Sequence, residues 1–326
     1  MVSFFKEKST ATVFGLVLVS ASTRAFFWVH PPQFAIAPDD GLIYYLISPL
    51  LTLPAILLPL IYQLIVVVQA LRLNYAFNEV RMFPKSAFTA ALAYILLTAL
   101  LPAWNNITAA LLLNTLLIWL LYKLTKLYNT QQPKTLLFNI GLIAGSTVLL
   151  YFPALPLIIV VFFALGILRP FRLNEWLILL LGILTPFYFF AGWLFLNNQL
   201  GNIIHQIQIF GPHIVRPANL VLTAVTFAIA GSIIIAGAFM WQSNSGRMVI
   251  QVRKTWSFFF VAIVLLAAVV FLVKDAWPNA LLLSAVPAAA FVSNTFLYPK
   301  RNFVPAIIFW LLVGLIIYNN WFAVKI

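Results

Sequence analysis

Eleven blocks of apolar residues, each near the length of a membrane-crossing helix, are separated along the chain by short polar breaks. They fall at about 12–29, 43–69, 86–102, 107–127, 135–152, 154–169, 176–196, 219–241, 255–273, 278–297 and 303–321. About 20 residues at helical rise cross the hydrocarbon of a bilayer. A backbone in lipid must satisfy its own hydrogen bonds, which helices do within one segment. Runs such as Leu51–Val68 do not alternate in polarity, so a β-barrel is not expected. The pattern predicts an all-α polytopic transmembrane helix bundle, one integral membrane domain over 1–326. Pro54, Pro59, Pro186 and Pro287 fall inside blocks and are expected to kink their helices, most simply as packing features.

The longest break, NNQLGNIIHQIQIFGPHIVRPA at 197–218, has seven blocks before it and four after. Within it Ile203, Ile207 and Phe210 recur at helical spacing while His205, Gln206 and Gln208 are polar. That spacing predicts a short amphipathic helix lying in the membrane interface, ended by Gly211-Pro212. At the N-terminus, Ser20-Ala21-Ser22 has the small-residue character of a signal-peptide cleavage site. Apolar residues resume at Ala25-Phe26-Phe27-Trp28-Val29 and extend the run to spanning length, which favours an uncleaved first span.

Composition agrees with this pattern. The chain is 64% hydrophobic and 8% charged, with a mean hydropathy of +1.05, whereas soluble domains are about a quarter charged. The net charge of +13 comes from short cationic clusters between spans. Topogenic clusters of this kind do not imply a nucleic-acid partner. Lys and Arg accumulate in cytoplasmic loops. With the N-terminus inside, fifteen of the 19 fall on the cytoplasmic side, and Arg24, Arg216, Lys274 and Lys325 fall outside. An error in span number would blur this split, so the N-terminus is expected in the cytoplasm and the C-terminus outside it.

The chemistry-bearing residues are few. There is no cysteine and there are three histidines, which excludes thiolate metal and haem–thiolate sites. No cofactor and no metal is expected. The acids are Glu7, Asp39, Asp40, Glu79, Glu175 and Asp275, none in the middle of a span. Ion-coupled carriers usually place a carboxylate at membrane depth, so the pattern weighs against one. Glu175 after Asn174 reads as a helix start, and Glu79 among Arg72, Arg81 and Lys85 as charge balance.

Outside, the picture differs. His30, Asp39 and Asp40 share the first outer loop, with Arg24 just below, while the long break supplies His205, Gln208, His213 and Arg216. These are the candidate substrate-binding groups, with Asp39 and Asp40 as candidate catalytic carboxylates. For Arg24, snorkelling or pairing with Asp39 or Asp40 is the plainer account. The sharper one is a phosphate clamp formed with Arg216, since guanidinium offers a planar fork of donors. For Asp39-Asp40, helix capping before Gly41 competes with a role as general base or metal ligand.

The phrases LRLNYAFNEVRMFPKS, LLPAWNNITAALLLNTLLIWLLYKLTKLYN and LFNIGLIAGSTVLLYFPALPLIIVVFFALGILRPFRLNEWLILLLGILTPFYFFAGW carry a resemblance. Together they resemble an uncharacterised family of multi-pass inner-membrane proteins of Bacteroidota-type bacteria. The resemblance covers well over a third of the chain and implies a bacterial inner-membrane location and a role in building the cell envelope. It transfers no catalytic residue. Asp39-Asp40 after the first span is also similar to the acidic loop of membrane glycosyltransferases that use lipid-phosphate sugar donors. The likeness is limited, because the first outer loop here has only about a dozen residues where those enzymes carry a long one.

Three functions remain open on sequence grounds. One is an outward-facing site that handles a lipid-linked anionic substrate, a polyprenyl phosphate or glycolipid, by transfer or flipping. Another is a non-catalytic membrane subunit of an envelope complex, motivated by tiny loops and few acids. The third is a solute transporter, which would require paired broken spans. The expected partners are membrane lipids, a lipid-linked sugar, or other membrane subunits.

Overall fold

The computed structural model describes residues 2–7, 9–36, 40–47, 53–197, 220–271, 277–301 and 303–322. Its helices are α1 (Thr10–Thr23), α2 (Ile43–Ile47), α3 (Leu58–Glu79), α4 (Thr89–Leu97), α5 (Ala109–Lys126), α6 (Lys134–Leu150), α7 (Pro156–Leu168) and α8 (Leu173–Leu196). After the 198–219 gap come α9 (Leu220–Asn244), α10 (Ile250–Ala268), α11 (Trp277–Leu281), α12 (Ala285–Leu297) and α13 (Phe303–Ile317). A two-residue strand β1 (Phe34–Ala35) pairs in parallel with β2 (Ile107–Thr108).

Among the described residues, seven helical stretches are long and apolar enough to cross a membrane. They are Ala55–Glu79, Ala109–Asn129, Leu173–Leu196, Leu220–Arg247, Ile250–Phe271, Trp277–Leu297 and Phe303–Phe322. Thr10–Thr23, Lys134–Leu150 and Phe152–Leu168 are apolar but shorter. Large apolar side chains such as Leu181, Tyr188, Phe189, Val221, Ile235 and Phe239 stand exposed on α8 and α9, the surface a lipid-facing helix presents.

Two expected spans fall differently. The helix of the second block begins at Leu58, not residue 43, and runs on to Glu79. Pro54 precedes a 3-10 turn at Ala55–Leu57, and Pro59 sits in the first turn of α3. A proline lacking its N–H costs nothing there, so these two start the helix where a kink was expected. The third block supplies only α4, nine residues with every one buried. At helical rise that is about 13 Å, less than half of a hydrocarbon core. By contrast Pro186 lies inside α8, as expected.

Close backbone contact locks α6 to α8. Gly141 and Gly145 are spaced four apart on α6, and any Cβ there would collide with the carbonyl oxygens of Leu179 and Ile183. Gly182 on α8 faces Phe138 in the same way. Small residues at this spacing let membrane helices approach where lipid supplies no hydrophobic drive.

The chain ends of the helices sort into two groups. At one, Phe88 N donates to the Phe5 carbonyl at 2.9 Å, and Lys126 pairs with Glu79 at 3.0 Å. There too Arg169 binds Glu175 through two hydrogen bonds of 2.8 and 3.0 Å, and Asn129 bonds Gln251. This is the basic end. At the opposite end Ile107 N donates to the Gln33 carbonyl, Leu42 N to the Leu149 carbonyl, and Arg24 meets the end of α4.

Candidate functional site

The short helix α4 ends inside the bundle, and the reason lies in its last turn. Ala99 N bonds the Leu96 carbonyl and Leu100 N the Leu97 carbonyl, the tighter i→i+3 pattern. The Ile95 carbonyl, which an α-helix would give to Ala99, is released. The Thr98 hydroxyl takes it at 3.1 Å and Arg24 Nη2 at 3.2 Å. Arg24 Nη2 also donates to Thr98 Oγ1 at 2.8 Å, while Nη1 donates to Ser20 Oγ at 3.0 Å. A cation at this position opposes the negative end of the α4 dipole. The Tyr62 ring lies 5.4 Å from the guanidinium carbon, close enough for a cation–π contact.

Two further carbonyls of this non-helical stretch are met from α13. Its helical stretch closes in a π-turn, Tyr318–Phe322, that buries consecutive asparagines. Asn319 donates to the Leu100 carbonyl at 2.7 Å and Asn320 to the Ala99 carbonyl at 3.0 Å. Irregular backbone at membrane depth is tolerated only where protein or water satisfies it. Arg24, Asn319 and Asn320 perform that task here.

A second set of buried groups binds α3, α4 and α5. Tyr94 donates its hydroxyl proton to Gln69 Oε1 at 2.8 Å and accepts from Asn114 Nδ2 at 3.1 Å. Gln69 Nε2 donates to the Leu111 carbonyl and the Thr115 hydroxyl. Between α3 and α5 a groove of about 390 Å³ reaches this network, lined by Gln69, Arg72, Tyr75, Thr115, Trp119 and Tyr122 among others.

Arg24 is 2% exposed. It does not snorkel, and each of its hydrogen-bond partners is neutral. Its Nε is buried without a partner. The chain folded it inward because Ser20, one turn earlier, and Thr98 offer oxygens there.

The loop bearing Asp40 is fastened to the bundle. Gln33 N donates to Asn106 Oδ1 at 3.0 Å, β1 pairs with β2, and Leu42 N donates to the Leu149 carbonyl. Gly41 adopts φ +130° against the Leu150 carbonyl, where a side chain would be strained and would clash. Asp40 therefore lies near enough to Tyr151 for its charge to act on that phenol. The Tyr151 hydroxyl is buried with no hydrogen-bond partner. His30 is exposed at the end of the 3-10 turn Ala25–Trp28.

Asp39, His205, Gln208, His213 and Arg216 lie outside the described residues, as does the expected interfacial helix. The structure thus fastens the loop of Asp40 against the end of α6 and brings Arg24 to the end of α4. Among the described residues no group of three or more His, Cys, Asp or Glu comes together to hold a metal.

Sequence reasoning missed Gln69, Asn114, Asn319 and Asn320. Their signal was present, since each is an amide inside an apolar block, where a polar group needs a partner.

Compared with family models, with curated proteins and with solved structures, the chain finds no match in any of the three. The helical architecture and its apolar exterior define a membrane protein by length and composition.

Proposed function

We propose that the chain is a multi-pass protein of a bacterial inner membrane. It crosses about eleven times with its N-terminus in the cytoplasm and its C-terminus outside. The end bearing Arg24, His30 and Asp40 faces outward and handles a lipid-linked anionic substrate, a polyprenyl phosphate or glycolipid, by transfer or flipping.

The orientation is supported by the segregation of cations. Lys6, Arg81, Lys85, Lys126, Arg169, Arg247 and Lys254 belong to the basic end, and Arg24 is the one Lys or Arg described at the other. Cationic flanks mark the cytoplasmic side. The inner-membrane location rests on the family resemblance, and the lipid-linked substrate on the clustering of polar groups on one side of an otherwise apolar sequence.

One observation carries the functional half: Arg24 is a buried cation whose hydrogen-bond partners are all neutral and whose Nε is unpaired. A buried charge is costly unless compensated, and the α4 dipole and the Tyr62 ring oppose it with partial charges, not with a full counter-charge. An anionic headgroup arriving at this end would compensate it. Asp40, carried by the same outer loop as His30, supplies the carboxylate that a transfer step would use as general base.

A solute carrier is the second reading, favoured by α4 itself. A helix that stops inside a bundle is the element from which many carriers build a binding site.

The test is binding of a short-chain polyprenyl phosphate, against the uncharged polyprenol, by the purified chain and its Arg24→Lys and Arg24→Gln variants. The proposal expects selective binding of the phosphate, kept in part by Lys and lost with Gln while the variants remain folded. Equal affinity for both lipids, or an unchanged Gln variant, would end it.

A further inference from the structure

The basic end contains a cleft of about 490 Å³ between the turn after α3 and the segment joining α9 to α10. Arg81 and Arg247 both line it, together with Asn244 and Tyr298. Among the described residues neither guanidinium makes a hydrogen bond or an ion pair, and no carboxylate lines the cleft. Glu79, two residues from Arg81, is already engaged by Lys126 at 3.0 Å and by the Tyr122 hydroxyl. Two positive charges therefore face one concavity of a size ordinary for small ligands.

Arg81 reaches the cleft from an uncommon backbone. Met82 N donates to the Phe77 carbonyl at 3.0 Å and Arg81 N to the Asn78 carbonyl at 3.2 Å. These are the two bonds of a Schellman cap, completed by burial of Met82 and Phe77. Arg81 occupies its left-handed position, with φ +55°. Glycine is the usual residue there, because a Cβ is disfavoured in that conformation. Helix termination alone would thus be served better by glycine. The arginine brings only its side chain, and that side chain lines the cleft.

Tyr298 adds a donor. Its hydroxyl is buried without a partner, and burial holds the phenol above its ordinary value, so the proton stays on. The floor is held in place by Trp256, whose indole N–H donates to the Met82 carbonyl at 3.3 Å.

We propose that this cleft is an anion site for a phosphate-bearing ligand, with Arg81 and Arg247 as its cationic arms and the Tyr298 hydroxyl as a neutral donor. Guanidinium forks suit phosphate oxygens. The site is separate from the outward one, so either can fail alone.

The phosphate has two candidate sources, a soluble compound or a phospholipid headgroup, and two probes separate them. The full chain in phosphatidylcholine nanodiscs is titrated with inorganic pyrophosphate. In parallel, retention of phosphatidylglycerol is read by native mass spectrometry. Arg81→Gly and Arg247→Gln are compared with the wild type, and Lys134→Gln, at the start of α6 and outside the cleft lining, serves as the control. Arg81→Gly removes the cation while easing the backbone, so it is expected to unfold no earlier than the wild type.

Saturable pyrophosphate binding weakened about tenfold or more by both variants, and not by the control, supports the site and a soluble ligand. The same loss confined to phosphatidylglycerol supports the site and a lipid headgroup. Wild-type binding of both probes by both variants, or no binding of either probe by the wild type, overturns the proposal. An Arg81→Gly chain that unfolds earlier overturns the claim that the arginine is there for its charge.

Discussion

The Arg24 guanidinium donates to the Ile95 carbonyl oxygen at 3.2 Å, and so completes the end of a helix that stops inside the bundle. Without that bond a carbonyl at depth would have only the Thr98 hydroxyl. Arg24→Leu should therefore destabilise the chain by about 1–3 kcal/mol, the cost of leaving buried polar groups unmet. Thermal unfolding in detergent measures it. An unfolding temperature equal to the wild type would show that α4 ends without help from α1.

Asn319 and Asn320, just beyond α13, serve the Leu100 and Ala99 carbonyls of the same stretch. Asn320→Ala and Arg24→Leu act on two carbonyls of one segment, those of Ala99 and Ile95, four residues apart. Their combined effect should depart from additivity by about 0.5 kcal/mol or more. A double-mutant cycle on unfolding free energies checks this, and strict additivity would separate the two caps.

The α6–α8 contact leaves no room for a side chain at Gly145. Gly145→Leu should force the helices apart at a cost of about 1–3 kcal/mol or more, visible as loss of folded protein on extraction. Gly192→Ala on α8 meets nothing within 4 Å and should behave as wild type.

The chain lacks cysteine, so single-cysteine labelling needs no prior substitution. His30→Cys should react with a membrane-impermeant maleimide from outside whole spheroplasts, and Ser245→Cys only after lysis. The reverse pattern would invert the topology.

How much of the fold is legible in the sequence depends on which contacts lie close along the chain. Helical blocks and cation clusters are local properties, and both can be read from the order of residues alone. The bounds of α3 cannot. Residues 43–57 are nearly as apolar as α3 itself, and only the placement of Pro54 and Pro59 at a helix start shifts the element toward Glu79. The shortness of α4 is hidden for a related reason. Ala99, Leu100 and Leu101 continue the apolar block, while the bonds that end the helix come from Arg24 and from α13, far away in sequence. The depth of Arg24 is legible from its place near the end of the first apolar block. Its actual partners, Ser20 and Thr98, carry no such signal, because small hydroxyl residues are common inside apolar blocks of this chain.

The most direct measurement for the outward site is photo-crosslinking of a diazirine-bearing short-chain polyprenyl phosphate to the full chain in nanodiscs, followed by peptide mapping. Adducts are expected within 24–47 and 98–108, competed by unlabelled polyprenyl phosphate and reduced in Arg24→Gln. Adducts confined to the α3–α5 groove, or competed equally by uncharged polyprenol, would contradict it.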